Sequence, residues 1–177
     1  MSKSVLALIA VASTVHAGTS AGEVLGEAEA VKLLKNPLGS IKKSETPPDA
    51  TNGNDRMTIC GYFPKGYDLE TADAPPDAGL MVTLHALPDA AAAKRYYEGV
   101  MGAIKESGEK LMPVTGVGDA GFSQASNVAG SAVHVAILTF LKGNIMAMVQ
   151  VWTKAAAPDE IVRAASLQIA GRLPSRQ

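Results

Sequence analysis

Two consecutive apolar segments constrain the fold of this chain more than any other feature. Val133–Phe140 and Ile145–Trp152 are rich in β-branched, aromatic and other apolar residues, and Lys142-Gly143-Asn144 connects them. A short glycine-containing connection between two such segments is typical of an antiparallel β-hairpin. Because both strands are apolar at nearly every position, other elements must cover both of their faces. We therefore predict that this hairpin lies at the centre of a sheet.

Three further segments have the apolar spacing of amphipathic helices. The first spans about Ala21 to Lys35 and is preceded by Ser20, which matches a capping box with Glu23. The other two begin at Pro-Asp pairs, a combination favoured in the first helical turn. They run from Pro88-Asp89 to Gly108 and from Pro158-Asp159 to Pro174.

The remaining segments divide into short strands and polar loops. Strands are predicted at Met57–Phe63 and Leu80–Leu87, and Lys110–Phe122 contains a further strand and a glycine-rich bend. Segments rich in polar and turn residues, without periodicity, predict loops at Ser40–Arg56, Pro64–Gly79 and Ser123–Gly130.

The order of these elements, αββαββα-like, favours an α+β fold in which helices pack on an antiparallel sheet. A strictly alternating βαβ pattern is absent, which argues against a doubly wound parallel sheet. The 177 residues suit one domain. We place that domain at residues 18–177.

The N-terminus resembles a signal peptide. Lys3 precedes the uncharged segment Val5–Val15, and Val15-His16-Ala17 has small or aliphatic residues around a cleavable bond. We predict a signal peptide at residues 1–17, with cleavage after Ala21 as the alternative. The apolar segment is shorter than the roughly 20 residues of a transmembrane helix, so no stable membrane anchor is expected after cleavage. The mature protein is predicted to be periplasmic or secreted.

Charge argues against two classes of partner. The formal net charge is −1, and no segment is strongly basic. Binding to nucleic acid or to acidic lipid requires clustered Lys and Arg, so neither is expected.

Gly116-Val117-Gly118-Asp119-Ala120-Gly121-Phe122 is the most distinctive motif. A phosphate-binding loop would be followed by a helix, whereas here a polar segment follows. The competing interpretation is a tight turn in which the glycines take positive φ and Asp119 accepts hydrogen bonds from nearby amides. We keep Gly116, Gly118, Asp119 and Phe122 as a possible functional turn.

This motif also carries a family resemblance. Together with Asn36-Pro37-Leu38-Gly39, the Cys60-Gly61-Tyr62 strand and the Pro-Asp helix, it resembles small exported bacterial domains and lipoproteins of unknown function. Those proteins have a Gly-x-Gly-Asp-x-Ala-Tyr/Phe turn, and this chain has Gly121 in place of the alanine. The layout is also similar to that of PsbP-like domains. The resemblance implies a binding or assembly role and supplies no catalytic residues.

Few residues suggest chemistry. Cys60, His85 and His134, with Met146 or Met148, could form a soft-metal site, but their spacings match no metal-binding motif. No Gly-x-Ser-x-Gly nucleophile motif is present. We therefore predict no catalytic residue and no cofactor. The leading hypothesis is a non-catalytic periplasmic domain that binds a partner protein or a small ligand, and the alternative is a metal-handling protein or hydrolase that uses His85 or His134.

We predict export with cleavage after Ala17 or Ala21. N-terminal sequencing of protein from the periplasmic fraction should yield Gly18 or Gly22 as the first residue. Soluble cytosolic protein that retains Met1 would contradict the prediction.

Overall fold

The computed structural model describes residues 19–49, 55–127, 131–155 and 157–174. The predicted signal peptide lies outside these ranges. The helices are α1 (Ala21–Val24), α2 (Glu27–Leu34), α3 (Ala90–Glu106) and α4 (Pro158–Arg172). The strands are β1 (Ser40–Thr46), β2 (Arg56–Phe63), β3 (Ala78–Ala86), β4 (Met112–Pro113), β5 (Ala120–Asn127), β6 (His134–Lys142) and β7 (Ile145–Thr153).

All seven strands form one antiparallel sheet in the order β1-β2-β3-β7-β6-β5-β4. The predicted α+β class is confirmed, and so is the central hairpin, because β7 is the middle strand and pairs with β6. Lys142 pairs with Ile145, which leaves Gly143 and Asn144 as the turn. Gly143 has a φ of +60°, a conformation that suits glycine at the first position of such a turn.

Two segments predicted as loops are partly strands. Ser40–Thr46 forms the edge strand β1, and Ser123–Asn127 belongs to β5. Along β1, every residue after the first is exposed, so this strand has no apolar alternation. Its pairing with β2 depends on backbone hydrogen bonds, which sequence patterns do not reveal. The predictions of loops at these two segments were therefore wrong.

The predicted helix from Ala21 to Lys35 is two helices. Leu25 is extended between them, with a φ of −145°, and its carbonyl accepts a hydrogen bond from the buried Tyr62 hydroxyl. Gly26 then caps α2, and its N–H donates to Glu29 Oε2 at 2.9 Å. The predicted continuous helix is therefore interrupted at Leu25 and Gly26. The break gives the buried Tyr62 hydroxyl an acceptor, and the helical hydrogen bonding starts again at Gly26.

On one face of the sheet, helices cover the central strands. Residues of α1, α2 and α4 pack there against alternate residues of the central strands, and the cluster is buried. Its strand members include Leu80, Val82, Leu138, Phe140 and Val149. This layer is the main hydrophobic core, and burial of such side chains is the principal source of stability.

The opposite face is only partly covered. At one end of the sheet, α3 places Ala93 and Tyr97 on Phe122, Leu141 and Met146. At the other end, a separate cluster contains Phe63, Val133, Val135 and Trp152. Among the described elements, α3 is thus a single helix on a wide sheet, and part of the surface of α3 remains open to solvent.

The residues beside the proposed cleavage sites are part of the fold. The N–H of Ser20 donates to Glu23 Oε2 at 2.6 Å, and the N–H of Ala21 donates to Thr58 Oγ1 at 3.0 Å. Cleavage after Ala17 would leave both contacts intact, whereas cleavage after Ala21 would remove both donors. Among the described residues, no helix is long and apolar enough to span a membrane.

We expect the slowest amide exchange in β6 and β7. These strands are paired on both sides and their side chains are largely buried. Their amides should therefore exchange only when the whole domain unfolds. Hydrogen–deuterium exchange measured by NMR should show protection that falls toward the edge strand β1. Fast exchange throughout β6 and β7, with slower exchange in β1, would contradict the sheet order.

Candidate functional site

An open groove lies along one flank of α3, at the end of the sheet where β3 leads into that helix. The connection is Leu87-Pro88-Asp89, and Asp89 caps α3 by accepting a hydrogen bond from the Ala92 N–H at 2.7 Å. The open space within this groove is about 800 Å³. Its lining consists of Asp55, Leu87, Pro88, Asp89, Ala92, Arg95, Tyr96, Gly99, Val100 and Ala103.

A histidine connects the sheet to the wall of this groove. His85 lies near the end of β3, and its Nε2 is 3.2 Å from Asp55 Oδ2. The His85 ring meets the Tyr96 ring edge to face, with centroids 4.5 Å apart and an interplanar angle of 86°. The His85 side chain is only 12% exposed, whereas Tyr96 is 42% exposed. The Asp55–His85 pair therefore supports a tyrosine that presents its ring to solvent.

The lining combines apolar surface with charges of both signs. Leu87, Pro88 and Val100 contribute apolar surface, and the charged members are Asp55, Asp89 and Arg95. Ligand sites commonly have this composition, in which an apolar wall contributes affinity and a few polar groups fix orientation.

The three candidate metal ligands do not come together. His85 pairs with Met146 of β7, and His134 pairs with Thr153 of the same strand. The two histidines are therefore separated by roughly 23 Å along the sheet, at about 3.3 Å per residue. Met146 and Thr153 are seven positions apart in β7, and because this offset is odd, His85 and His134 lie on opposite faces of the sheet. Within the described ranges, no group of three or more His, Cys, Asp or Glu residues could hold a metal ion.

The Gly116–Phe122 segment supports the central hairpin. Gly116 and Gly118 have φ values of +79° and +64°. A Cβ on Gly118 would lie 2.3 Å from the Leu141 carbonyl oxygen, so a side chain cannot be accommodated there. The next residue, Asp119, donates its N–H to that same carbonyl at 2.7 Å.

The side chains of the same segment also have structural contacts. Asp119 Oδ2 accepts a hydrogen bond from the Gly143 N–H at 2.8 Å, which ties the segment to the hairpin turn. Phe122 is buried against Tyr97 of α3, with ring centroids 5.5 Å apart. Each of these contacts stabilises the turn, and the segment leads into strand β5, whereas a phosphate loop leads into a helix.

Cys60 is fully buried in β2, under α1. Its sulfur lies 3.4 Å from the position that a Cβ on Gly22 would occupy. Burial raises the pKa of the Cys60 thiol, and this effect exceeds the lowering by the Tyr62 hydroxyl and by the charge of Lys43. Lys43 pairs with Cys60 across β1 and β2, a neighbour that the prediction of a loop in this region concealed.

The groove residues Asp55, Arg95 and Tyr96 were not predicted from the sequence. Arg95 and Tyr96 lie in a helix whose apolar face is formed by other residues, and Asp55 belongs to a segment predicted as a loop. The one available signal was Tyr96, a large aromatic residue outside the apolar face of α3.

We predict that native Cys60 resists thiol reagents and that the protein forms no disulfide-linked dimer, because a buried thiol with a raised pKa carries little thiolate. Cys60→Ala should destabilise the protein by about 1–2 kcal/mol without loss of function. Maleimide labelling of folded and urea-unfolded protein tests this. Rapid labelling of the folded form, or stoichiometric metal that disappears in Cys60→Ala, would contradict the prediction.

Comparison with known proteins identifies the fold and no family. No protein-family model and no curated protein matches the sequence. The structure is similar to the extracellular domain of PknH from Mycobacterium tuberculosis, with a TM-score of 0.54 and 11% identity over 86% of this chain and 95% of that one. A GTP-binding regulator from Thermotoga maritima has a TM-score of 0.39 and 10% identity over 89% and 95% of the two chains. At 11% identity, the likeness to the PknH domain shows a shared fold alone.

Proposed function

We propose that this chain is an exported, non-catalytic domain that binds a small ligand in the groove beside α3. The observation that carries the proposal is the composition of this groove, in which apolar walls surround three charged side chains and an exposed tyrosine ring. Its volume of about 800 Å³ is within the usual range for ligand sites.

Two observations support an exported location. Residues 1–17 have the charge and apolar pattern of a signal peptide. The similar PknH structure is an extracellular domain, which agrees with a domain that works outside the cytoplasm. We propose the periplasm as the compartment, and we propose a relationship to the small exported domains that share the Gly-x-Gly-Asp turn.

Binding is favoured over hydrolysis because no nucleophile is among the lining residues that the structure describes. Asp55 could orient the His85 imidazole as a general base. The described lining, however, contains no serine, threonine or cysteine that such a base could activate. His85 also lies far from His134 and on the opposite face from Cys60. A hydrolase or metal-handling function would therefore need groups that the described lining does not supply.

Two glycines of α3 provide a matched test. A Cβ on Gly99 or on Gly102 would meet no atom within 4 Å, and only Gly99 lines the groove. Gly99→Leu should fill part of the groove, whereas Gly102→Leu should leave it open. Both changes replace glycine in a helix interior, so each should increase the free energy of unfolding by about 0.5–1 kcal/mol.

The measurement is NMR of ¹⁵N-labelled protein titrated with a library of small organic fragments. Fragments that bind should shift the amide signals of Leu87, Asp89 and Ala92–Ala103 in the wild-type protein and in Gly102→Leu. Gly99→Leu should abolish these shifts while remaining folded. The proposal fails if no fragment perturbs these amides, or if Gly99→Leu and Gly102→Leu respond identically.

A further inference from the structure

Arg95 is the charged lining residue that forms no ion pair within the part of the chain that the structure describes. Asp55 contacts His85, and Asp89 accepts the Ala92 N–H. Among the ion pairs seen between described residues, none involves Arg95. A guanidinium beside an apolar wall is well suited to bind a carboxylate through two parallel hydrogen bonds. The ligand should therefore carry an anionic group.

The carboxylates of Asp55 and Asp89 make a purely anionic ligand unsuitable. Each carboxylate has two oxygens and can accept several hydrogen bonds, of which the contacts described above use only one. Like charges in one groove would repel an anion, unless the ligand also carries a positive group. Charges of both signs in the lining are thus complementary to a zwitterion.

The spacing along α3 favours a zwitterion of about the length of a dipeptide. Asp89 and Arg95 are six positions apart, which corresponds to about 9 Å along the helix axis at roughly 1.5 Å per residue. An extended dipeptide spans at most about 7 Å between its ends, and the two side chains can close the difference. In a single amino acid both charges lie on one residue, so the two protein side chains would have to close a larger part of this separation.

We infer, on the basis of the proposed function, that the groove binds short peptides with apolar side chains. Arg95 holds the terminal carboxylate, and Asp89 accepts hydrogen bonds from the terminal ammonium. The apolar side chains pack on the exposed ring of Tyr96, which the Asp55–His85 pair supports, and on Val100.

The probes are the dipeptide Leu-Leu, its N-acetyl derivative and its C-terminal amide. They are titrated against the wild-type protein, Arg95→Gln and Asp89→Asn, and affinity is measured from NMR shifts of the groove amides. Asp89→Asn removes the charge and retains a side chain that can cap α3. Lys94→Gln is the control, because Lys94 lies in the same helix, is absent from the described groove lining and pairs with Glu98 at 3.8 Å.

We expect wild-type protein and Lys94→Gln to bind Leu-Leu, with at least about threefold weaker binding of either blocked derivative, a size typical of exposed ion pairs. Arg95→Gln should bind Leu-Leu and its C-terminal amide equally well, while it still binds the N-acetyl derivative more weakly. Asp89→Asn should bind Leu-Leu and its N-acetyl derivative equally well, while it still binds the amide more weakly. Each variant and ligand pair thus forms a cycle that isolates one contact, as a double-mutant cycle does.

Two results would overturn the inference, and they are distinguishable. If the blocked derivatives bind as well as Leu-Leu, or if Leu-Leu does not bind while fragments still shift the groove amides, the groove binds ligands of another class. In that case the proposed function stands and the peptide assignment falls. If neither Leu-Leu nor any fragment shifts these amides, both proposals fall.

Discussion

The β6–β7 hairpin must be buried on both faces, and the rest of the architecture follows from this requirement. Its strands are apolar on both sides, so exposure of either face to water would carry a large cost in free energy. Flanking strands β3 and β5 satisfy the backbone, and helices cover the faces. The helices on the face that carries the main hydrophobic core are held together at one end, where Arg172 of α4 pairs with Glu29 of α2 and keeps the pKa of that carboxyl at about 2.

The unequal covering of the two faces creates the groove. Of the four described helices, three pack on one face, whereas α3 packs on the other through Ala93 and Tyr97. Among the described residues, no helix lies beside the flank of α3 that carries Arg95 and Tyr96, and His85 approaches Tyr96 from the sheet. A lone helix on a wide sheet thus has one buried stripe and one accessible flank, and the accessible flank is where binding groups can be placed without loss of core packing.

The sequence predicts the parts of this fold whose signals are local. Apolar patterning locates the hairpin and α4, and the Pro-Asp starts locate the beginnings of α3 and α4 to within two residues. Strand β1 escapes prediction because its residues are exposed on both faces and its pairing is made by the backbone. The groove is not predicted from the sequence for a related reason, since Asp55, His85 and Tyr96 come from three separate segments. Their contact depends on the pairing of β2 with β3 and on the packing of α3, and no short-range pattern encodes it.

The contrast between the Gly116–Phe122 motif and the groove has a physical basis. Gly118 is required because any Cβ would overlap the Leu141 carbonyl oxygen, and Asp119 is required to hold the Gly143 N–H. A backbone that approaches another backbone this closely tolerates very few residue types, so it leaves a conspicuous motif in the sequence. A groove side chain such as Arg95 needs only an accessible position and a suitable charge, and many residue types satisfy the fold there. A conspicuous motif in this chain therefore marks a backbone constraint, whereas its binding groups must be found from the charges and exposed rings that the fold leaves without a structural role.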